Sequence, residues 1–307
     1  MPVTTFSTRS DSDLLAGFRA AVDAFLDRTL QDKLATDAGA HLAVPVSVLR
    51  DFLGGGGERL RPMYCYCGWL AGGGDPDDPT VVRLGAAVEL HHARYLPLPG
   101  LGENAAVLLG DLCASWADEL FGSMREARRM FARMRTELVV GQYLDLCATG
   151  TVQQALTVDR YKSGSYTVQR PLHIGAAAAG ADARVLAACS AYGLPLGQAF
   201  QMCDDLEDVM GHPGRLREGK STVVVALAVR RADPAQRLRL GALLGDPGLD
   251  EAGAAEARAI IAATGAVSVT TEMIGEYRER ALSALRAAPF PAEVARLLTI
   301  LAGCDST

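Results

Sequence analysis

The 307-residue sequence lacks several features that would assign it to a broad class of protein. It has no clustered run of basic residues and a net charge of −6, which argues against nucleic acid as the main partner, because a phosphate backbone requires a concentrated positive surface. No apolar run approaches the ~18 residues that a membrane span requires. The N-terminus also lacks the basic and apolar signature of a secretory signal. We therefore expect a cytoplasmic protein without a membrane span.

The cysteines exclude a common kind of metal site. The seven cysteines are odd in number and show no paired CxxC spacing of the kind that holds zinc. Most of them stand in apolar stretches, so we expect reduced thiols in the core.

Alternating apolar and polar residues, the pattern of a half-buried strand, are almost absent. Ala-rich amphipathic segments with helical spacing recur instead, separated by Gly, Pro and Asp clusters. We expect the β-branched run at 221–229 to form a buried helix rather than a strand. The sequence predicts a flexible tail over residues 1–12 and a single all-α domain over residues 13–307. The predicted helical segments are LLAGFRAAVDAFLDRTL at 14–30, and then 82–96, 104–121, 124–147, 153–162, 165–179, 183–210, 220–231, 252–263 and 269–287.

Four polar residues within AFQMCDDLEDVMG form the most informative pattern in the chain. Gln201, Asp204, Asp205 and Asp208 are spaced i, i+3, i+4 and i+7, which places them on one face of an α-helix. Adjacent aspartates repel, and an exposed helix would more often carry lysines four residues away. An ordinary solvated surface face is the alternative interpretation, but the spacing favours a metal site.

Two arginines follow a glycine-rich turn early in the chain. The turn at 54–57 leads into Arg59 and Arg61, which could hold a diphosphate through charge-assisted hydrogen bonds. Taken alone, this pattern is more typical of an exposed turn.

Two lysines supply further positive charge. Lys162 stands close in sequence to the hydroxyls of Tyr166 and Thr167, and Lys220 lies just beyond the aspartate helix. Either lysine could be an ordinary surface residue. Together with the acidic stripe, however, they provide carboxylates for Mg²⁺ and cations for phosphate oxygens.

These motifs, taken in order, resemble those of the trans-isoprenyl diphosphate synthases, also called polyprenyl synthetases. GGGGERLRP resembles the family's GGKRLRP, and MRTELVVGQYLDL, YKSGSYTVQRPLHIGAA and YGLPLGQAFQMCDDLEDV follow in the family's order. The likeness covers most of the chain. It implies an all-α isoprenoid-synthase-type helical bundle around a central pocket, usually a homodimer. Such a protein joins an allylic diphosphate to isopentenyl diphosphate with Mg²⁺.

The resemblance assigns roles by position. Asp204, Asp205 and Asp208 match the family's second aspartate-rich motif, which holds magnesium against the allylic diphosphate. The catalytic residues that it implies are Asp204, Asp205, Lys162, Gln201 and Lys220. The residues that it implies for diphosphate binding are Arg59, Arg61, His92, Lys162, Tyr166, Thr167 and Lys220.

The family's first aspartate-rich motif is missing. An alignment that matches Glu89 places Pro99, Gly100 and Glu103 where the aspartates should stand, and prolines in this segment break the helix that would carry them. Roughly 20 residues of the family pattern, with its paired arginines, are also absent. Glu103, or Glu89 with His91, could substitute for the lost carboxylates.

The isopentenyl diphosphate site also departs from the pattern, because Glu58 replaces a family lysine. We expect a buried negative charge beside a diphosphate to cost several kcal/mol.

Three functions fit these matches and departures. A terpene-synthase-like reaction, in which one allylic diphosphate is ionised, requires only the better-preserved side of the pocket and is favoured. A non-catalytic partner subunit of an active synthase would explain the lost motif, although it would have no chemical use for the aspartates and lysines. Chain elongation also requires the isopentenyl site. The expected partners are an allylic prenyl diphosphate and a second subunit, in a homodimer or a heterodimer with an active synthase.

Overall fold

A computed structural model describes residues 10–36, 39–95, 102–147 and 150–303, without the side chains of residues 40 and 103. Within these ranges the chain forms helices and connecting segments with no strand, so the predicted all-α class is confirmed. The first helix begins at Asp11, inside the predicted tail, while residues 1–9 of that tail lie outside the described ranges. The proline-containing segment 96–101 lies outside them too.

Two compact units divide the chain. The first comprises Met1–Phe131, Arg170–Ala187 and Pro289–Cys304, and the second comprises Ala132–Gln169, Ala188–Ala288 and Asp305–Thr307. The single domain expected over 13–307 stays a prediction. Among the helices described, none is both long enough and apolar enough to cross a membrane.

The helices are assigned to the units as follows. The first unit contains α1 (Asp11–Leu34), α2 (Gly39–Gly54), α3 (Leu60–Ala71), α4 (Pro79–Ala93), α5 (Glu103–Leu120), α8 (Arg170–Ala178) and α15 (Ala292–Gly303). The second contains α7 (Val152–Asp159), a π-helix (Arg160–Gln169), α10 (Pro213–Glu218), α11 (Val223–Arg231), α12 (Pro234–Leu243), α13 (Glu251–Ala263) and α14 (Ala266–Ala287). Two helices, α6 (Arg125–Leu146) and α9 (Ala183–Gly211), contribute residues to both units.

The core of the first unit depends on close packing of α3 against α8. A Cβ atom on Gly68 would lie 2.1 Å from the carbonyl oxygen of Leu172, and one on Gly175 would lie 1.9 Å from that of Cys65. Only glycine allows this approach of the two backbones. Helix α3 is consequently buried on nearly all sides.

The predicted helix over the β-branched run is confirmed in the second unit. Thr222 caps α11 by accepting a hydrogen bond from the backbone N–H of Val225 at 3.5 Å. The residues from Val223 to Ala228 are buried, and α11 packs against α13 and α14. Burial on every face accounts for the continuous apolar run.

The six cysteines within the described ranges are free thiols. The expected burial is found for Cys65, Cys67, Cys113 and Cys189, whereas Cys203 is half-buried and Cys147 is exposed.

Candidate functional site

The π-helix and α9 pack so closely in the second unit that no side chain fits between them at one point. A Cβ atom on Gly197 would lie 2.7 Å from the Cα atom of Gly164, and one on Gly164 would lie 3.1 Å from the Cγ atom of Gln198. Glycine at both positions therefore sets the separation of the two helices. At this separation the Ser163 hydroxyl donates a hydrogen bond to Oε1 of Gln201.

The hydrogen-bonded chain continues along the acidic face of α9. Nε2 of Gln201 donates to Oδ1 of Asp205 at 2.8 Å, which confirms that these two residues share a face. Burial raises the pKa of Asp205 to about 6, against the opposing effects of the Gln201 hydrogen bond and the charge of Lys162. Asp205 is half-buried, whereas Asp204 is exposed.

Lys162 is placed by a second close contact, between the π-helix and α6. A Cβ atom on Gly141 would lie 2.7 Å from the backbone nitrogen of Lys162. One turn further along α6, Oδ2 of Asp145 accepts a hydrogen bond from Nζ of Lys162 at 2.8 Å, with side chains only 17% and 24% exposed. Asp145 was not predicted, although it stands within the quoted segment MRTELVVGQYLDL.

A fourth carboxyl group in this region was also missed. Asp159 is only 2% exposed, and its Oδ2 atom has no hydrogen-bond partner among the described residues. Burial raises its pKa well above the usual value, and the nearby charge of Asp205 raises it further, while Lys162 lowers it. The surroundings of this carboxyl group therefore favour its neutral form.

The remaining members of the predicted set have partners of their own. Oδ2 of Asp208 lies 2.7 Å from Nη2 of Arg215, and Nζ of Lys220 lies 3.0 Å from Oε2 of Glu218. Neither pairing was predicted. Two further predicted residues lie in the π-helix, where Tyr166 is buried and Thr167 is half-buried.

Magnesium fits this part of the chain only as a metal shared with a ligand. Within the described ranges, no group of three or more His, Cys, Asp and Glu side chains is arranged to hold a metal. Mg²⁺ often binds through one or two carboxylates together with waters and phosphate oxygens. The adjacent carboxyl groups of Asp204 and Asp205 suit that mode, with the ligand completing the coordination.

The first unit holds a separate cavity of about 570 Å³ that brings together the predicted residues Arg59, Arg61 and His92. Burial, followed by the charge of Arg61, holds the pKa of His92 well below its usual value, so its imidazole is neutral at neutral pH. The other lining residues are Asp51, Phe52, Gly55, Gly56, Gly57, Glu58, Leu60 and Glu89.

Arg59 is already neutralised within the wall of this cavity. Its Nε atom donates to Asp23 at 2.7 Å, Nη1 donates to Glu89 at 3.1 Å, and Nη2 donates to the carbonyl oxygen of Leu53. Its backbone adopts the left-handed conformation (φ 54°, ψ 36°), which is uncommon for a residue with a side chain. These contacts make Arg59 an anchor of the turn, and its role in diphosphate binding stays a prediction.

The structure overturns two expectations about residues at the departures from the family pattern. Glu58 is exposed, so the predicted cost of a buried negative charge is wrong, because solvent screens this carboxylate. Glu89 is buried and bonded to Arg59, while the His91 ring packs edge-on against Phe131 at 5.2 Å between centroids. Neither side chain is therefore arranged to replace a metal ligand of the missing first aspartate-rich motif. The Glu103 side chain lies outside the described residues.

The site is consistent with the family that the sequence motifs resemble. It has two helices in close contact at glycines, carboxyl groups on one face of α9, and lysines paired with acidic residues. The family model for polyprenyl synthetase matches residues 99–263, which is more than half of the chain. The protein belongs to the polyprenyl synthetase family and has its all-α isoprenoid-synthase fold.

Relatives with assigned activities match nearly the whole chain. A nonaprenyl diphosphate synthase of Mycobacterium tuberculosis is 27% identical over 302 residues, which cover 88% of this chain and 86% of the relative. A geranylgeranyl pyrophosphate synthase structure from Corynebacterium glutamicum, complexed with isoprenyl diphosphate and magnesium, is 29% identical with a TM-score of 0.85, covering 93% and 97%. A polyprenyl synthase from Caulobacter crescentus, complexed with calcium and isoprenyl diphosphate, is 26% identical with a TM-score of 0.80, covering 96% and 97%.

The first prediction concerns the glycine contact. Gly197→Ala should lower the free energy of unfolding by about 1–3 kcal/mol, because the added methyl group overpacks the contact with Gly164. Gly275→Ala is the matched control, since a Cβ atom there meets nothing within 4 Å, and it should be neutral or stabilise α14 by up to about 1 kcal/mol. Urea denaturation measures both. Equal stabilities of the two variants would contradict the packing account.

The second prediction concerns the buried carboxyl group of Asp159. Its pKa is higher in the folded than in the unfolded protein, so the folded state binds more protons and stability falls as pH rises above about 4. Asp159→Asn removes this ionisation. The variant should match the wild type near pH 4 and exceed its stability at about pH 8, by roughly 1 kcal/mol or more.

Urea denaturation at several pH values tests this, with Asp32→Asn as the control because Asp32 is exposed on α1. A pH dependence that is the same in Asp159→Asn and in the wild type would show that Asp159 does not titrate as described.

Proposed function

We propose that the protein is a Mg²⁺-dependent enzyme that binds the diphosphate of an allylic prenyl substrate and ionises it. Family membership supports isoprenoid biosynthesis and a prenyltransferase more broadly. Diphosphate binding and ionisation are supported by the hydrogen-bonded network in the second unit that joins Ser163, Gln201 and Asp205. Lys162, paired with Asp145, lies close to it. A protein without chemistry to perform has no evident use for such a network.

The reaction would break the bond between C1 of the allylic chain and the diphosphate oxygen. The electron pair leaves with the diphosphate, and an allylic cation remains. Bound Mg²⁺ would supply positive charge to the diphosphate oxygens and so make diphosphate a better leaving group.

The chain's own residues act on the same leaving group. Nζ of Lys162 donates a hydrogen bond to Asp145 in this structure, and it is positioned to donate to a diphosphate oxygen instead. Gln201 holds one oxygen of Asp205, which leaves the other available to a cation. Desolvation around Asp205 strengthens these electrostatic contacts relative to bulk water.

The single-substrate reaction is favoured over elongation by the cavity in the first unit. Arg59 is neutralised there by Asp23 and Glu89, His92 is neutral, and the replaced family lysine is the acidic Glu58. Such a cavity offers a diphosphate little positive charge beyond Arg61.

Chain elongation is the second candidate, and the names of the relatives favour it. The nonaprenyl diphosphate synthase is named for a long-chain prenyl product. The cavity volume of about 570 Å³ leaves room for a small diphosphate in the first unit. The third possibility, a partner subunit without activity of its own, is distinguished by the experiment below.

The third prediction tests the ionisation step. The full chain with Mg²⁺ should consume a C10, C15 or C20 allylic diphosphate and release inorganic diphosphate, as followed by mass spectrometry of the products. Asp205→Ala should reduce this turnover by about 100-fold or more, because it removes a carboxylate that would hold Mg²⁺ at the leaving group. Glu207→Ala, which alters an exposed carboxylate on α9, should leave turnover unchanged.

Products with and without isopentenyl diphosphate then separate the candidates. A hydrocarbon or alcohol formed without it supports the single-substrate reaction, whereas a longer diphosphate formed only in its presence supports elongation. Unchanged turnover in Asp205→Ala would remove this residue from the mechanism. A wholly inert wild type would favour the partner subunit, which co-purification with an active synthase would test.

We further propose that two copies of the chain assemble through α6. Val139, Tyr143 and Leu146 are spaced i, i+4 and i+7 on this helix and are 56%, 65% and 87% exposed. An exposed apolar stripe at this spacing is typical of a helix that packs against another subunit.

The fourth prediction tests this assembly by sedimentation velocity. The wild type should sediment as a dimer, and the double variant Tyr143→Glu with Leu146→Glu as a monomer, because two charges would be buried without partners. Leu238→Glu is the control, since this residue is 79% exposed on α12, and its variant should remain dimeric. A monomeric wild type would contradict the proposal.

A further inference from the structure

A chain of ion pairs in the second unit connects the aspartate helix to Lys220. Arg215 lies between two carboxylates: Nη2 is 2.7 Å from Oδ2 of Asp208, and Nη1 is 3.3 Å from Oε2 of Glu218. The same oxygen of Glu218 is 3.0 Å from Nζ of Lys220. The four charges alternate in sign and cancel in the absence of a ligand.

The helix that carries Arg215 is fixed in position. Leu216 is buried in the apolar core of the second unit, and Nε of Arg217 donates to the carbonyl oxygen of Leu249 at 2.8 Å. Gly219 ends α10 in the left-handed conformation (φ 63°), in close contact with Gly245. Because α10 is anchored in this way, the Arg215 side chain can change partners without movement of the helix.

The ion pairs themselves are weak enough to exchange. Their side chains are 30–47% exposed, and pairs at this exposure contribute little because solvent screens their charges. Desolvation acts to lower the pKa of Arg215, but the charge of Asp208 and the hydrogen bond and charge of Glu218 together raise it, so the guanidinium stays charged. A guanidinium binds phosphate oxygens through paired hydrogen bonds, and a diphosphate carries more negative charge than the single carboxylate it would replace.

A metal-bound diphosphate carries both positive and negative charge, so it can replace partners of both signs in this chain of ion pairs. Its cation would replace the guanidinium at Asp208, and its oxygens would replace the carboxylates at Arg215 and Lys220. Asp208, Arg215 and Lys220 then each keep a partner of opposite sign, and the half-exposed Glu218 is left to solvent.

We propose that Arg215 is a diphosphate-binding residue of this chain. It pairs with Asp208 in the absence of a ligand, and with diphosphate oxygens once a metal-bound diphosphate binds. The inference rests on the proposed function, because it assigns one more residue to the same site. It also gives the short segment GHPGRLREGK a role, since that segment places a cation between Asp208 and Lys220.

Isothermal calorimetry with inorganic pyrophosphate and MgCl₂ tests the exchange on the full chain. Arg215→Ala should bind pyrophosphate about tenfold more weakly at saturating Mg²⁺, because a charge-assisted contact is lost. Arg215→Lys should recover part of the affinity. Arg239→Ala is the matched control, since it removes an arginine paired with Glu256 at 2.6 Å on other helices, and its affinity should not change.

A second variant keeps the guanidinium and therefore does not depend on how well Arg215→Ala folds. Glu218→Gln removes a carboxylate that competes for Arg215 and Lys220, so pyrophosphate should bind more tightly, by about threefold. Unchanged or weaker binding in Glu218→Gln would contradict the exchange.

The remaining outcomes separate this inference from the proposed function. Equal or tighter pyrophosphate binding in Arg215→Ala would show that Arg215 only blocks Asp208, and the inference would fail while the proposed function stands. If the wild type does not bind pyrophosphate with Mg²⁺, both fail.

Discussion

The contact between Gly164 of the π-helix and Gly197 of α9 is the constraint on which the candidate site depends. With no Cβ atom on either side, the two helices approach until the Ser163 hydroxyl reaches Gln201, and Gln201 in turn holds Asp205. A similar contact at Gly141 brings Lys162 to Asp145. The positions of the charged groups therefore follow from backbone packing, with side-chain hydrogen bonds adding orientation.

This region contains the features that stability alone would disfavour. A ten-residue π-helix is rare, and such segments are frequent at functional sites. Asp159 is buried with an oxygen that has no hydrogen-bond partner in the described part of the chain, and burial raises the pKa of Asp205 to about 6. Local destabilisation that concentrates around one group of side chains is typical of a site kept for chemistry.

The sequence predicted the all-α class, most helices of the second unit and the shared face of Gln201 and Asp205, because these depend on local spacing along one helix. It did not predict α3, whose burial depends on close contacts of Gly68 and Gly175 with another helix that spacing along one segment does not show. The partners Asp145 and Arg215 were missed because they come from other elements, and spacing along one segment carries no information about such contacts. The neutral state of His92 was likewise missed, because it depends on burial.

We propose that the second unit binds a metal-bound prenyl diphosphate at Asp205 and Lys162. A crystal structure with Mg²⁺ and an unreactive allylic thiodiphosphate tests it most directly. We expect the diphosphate at Nζ of Lys162, with a cation between its oxygens and the carboxyl group of Asp205. A diphosphate bound only in the cavity of the first unit, with Lys162 still on Asp145, would contradict it.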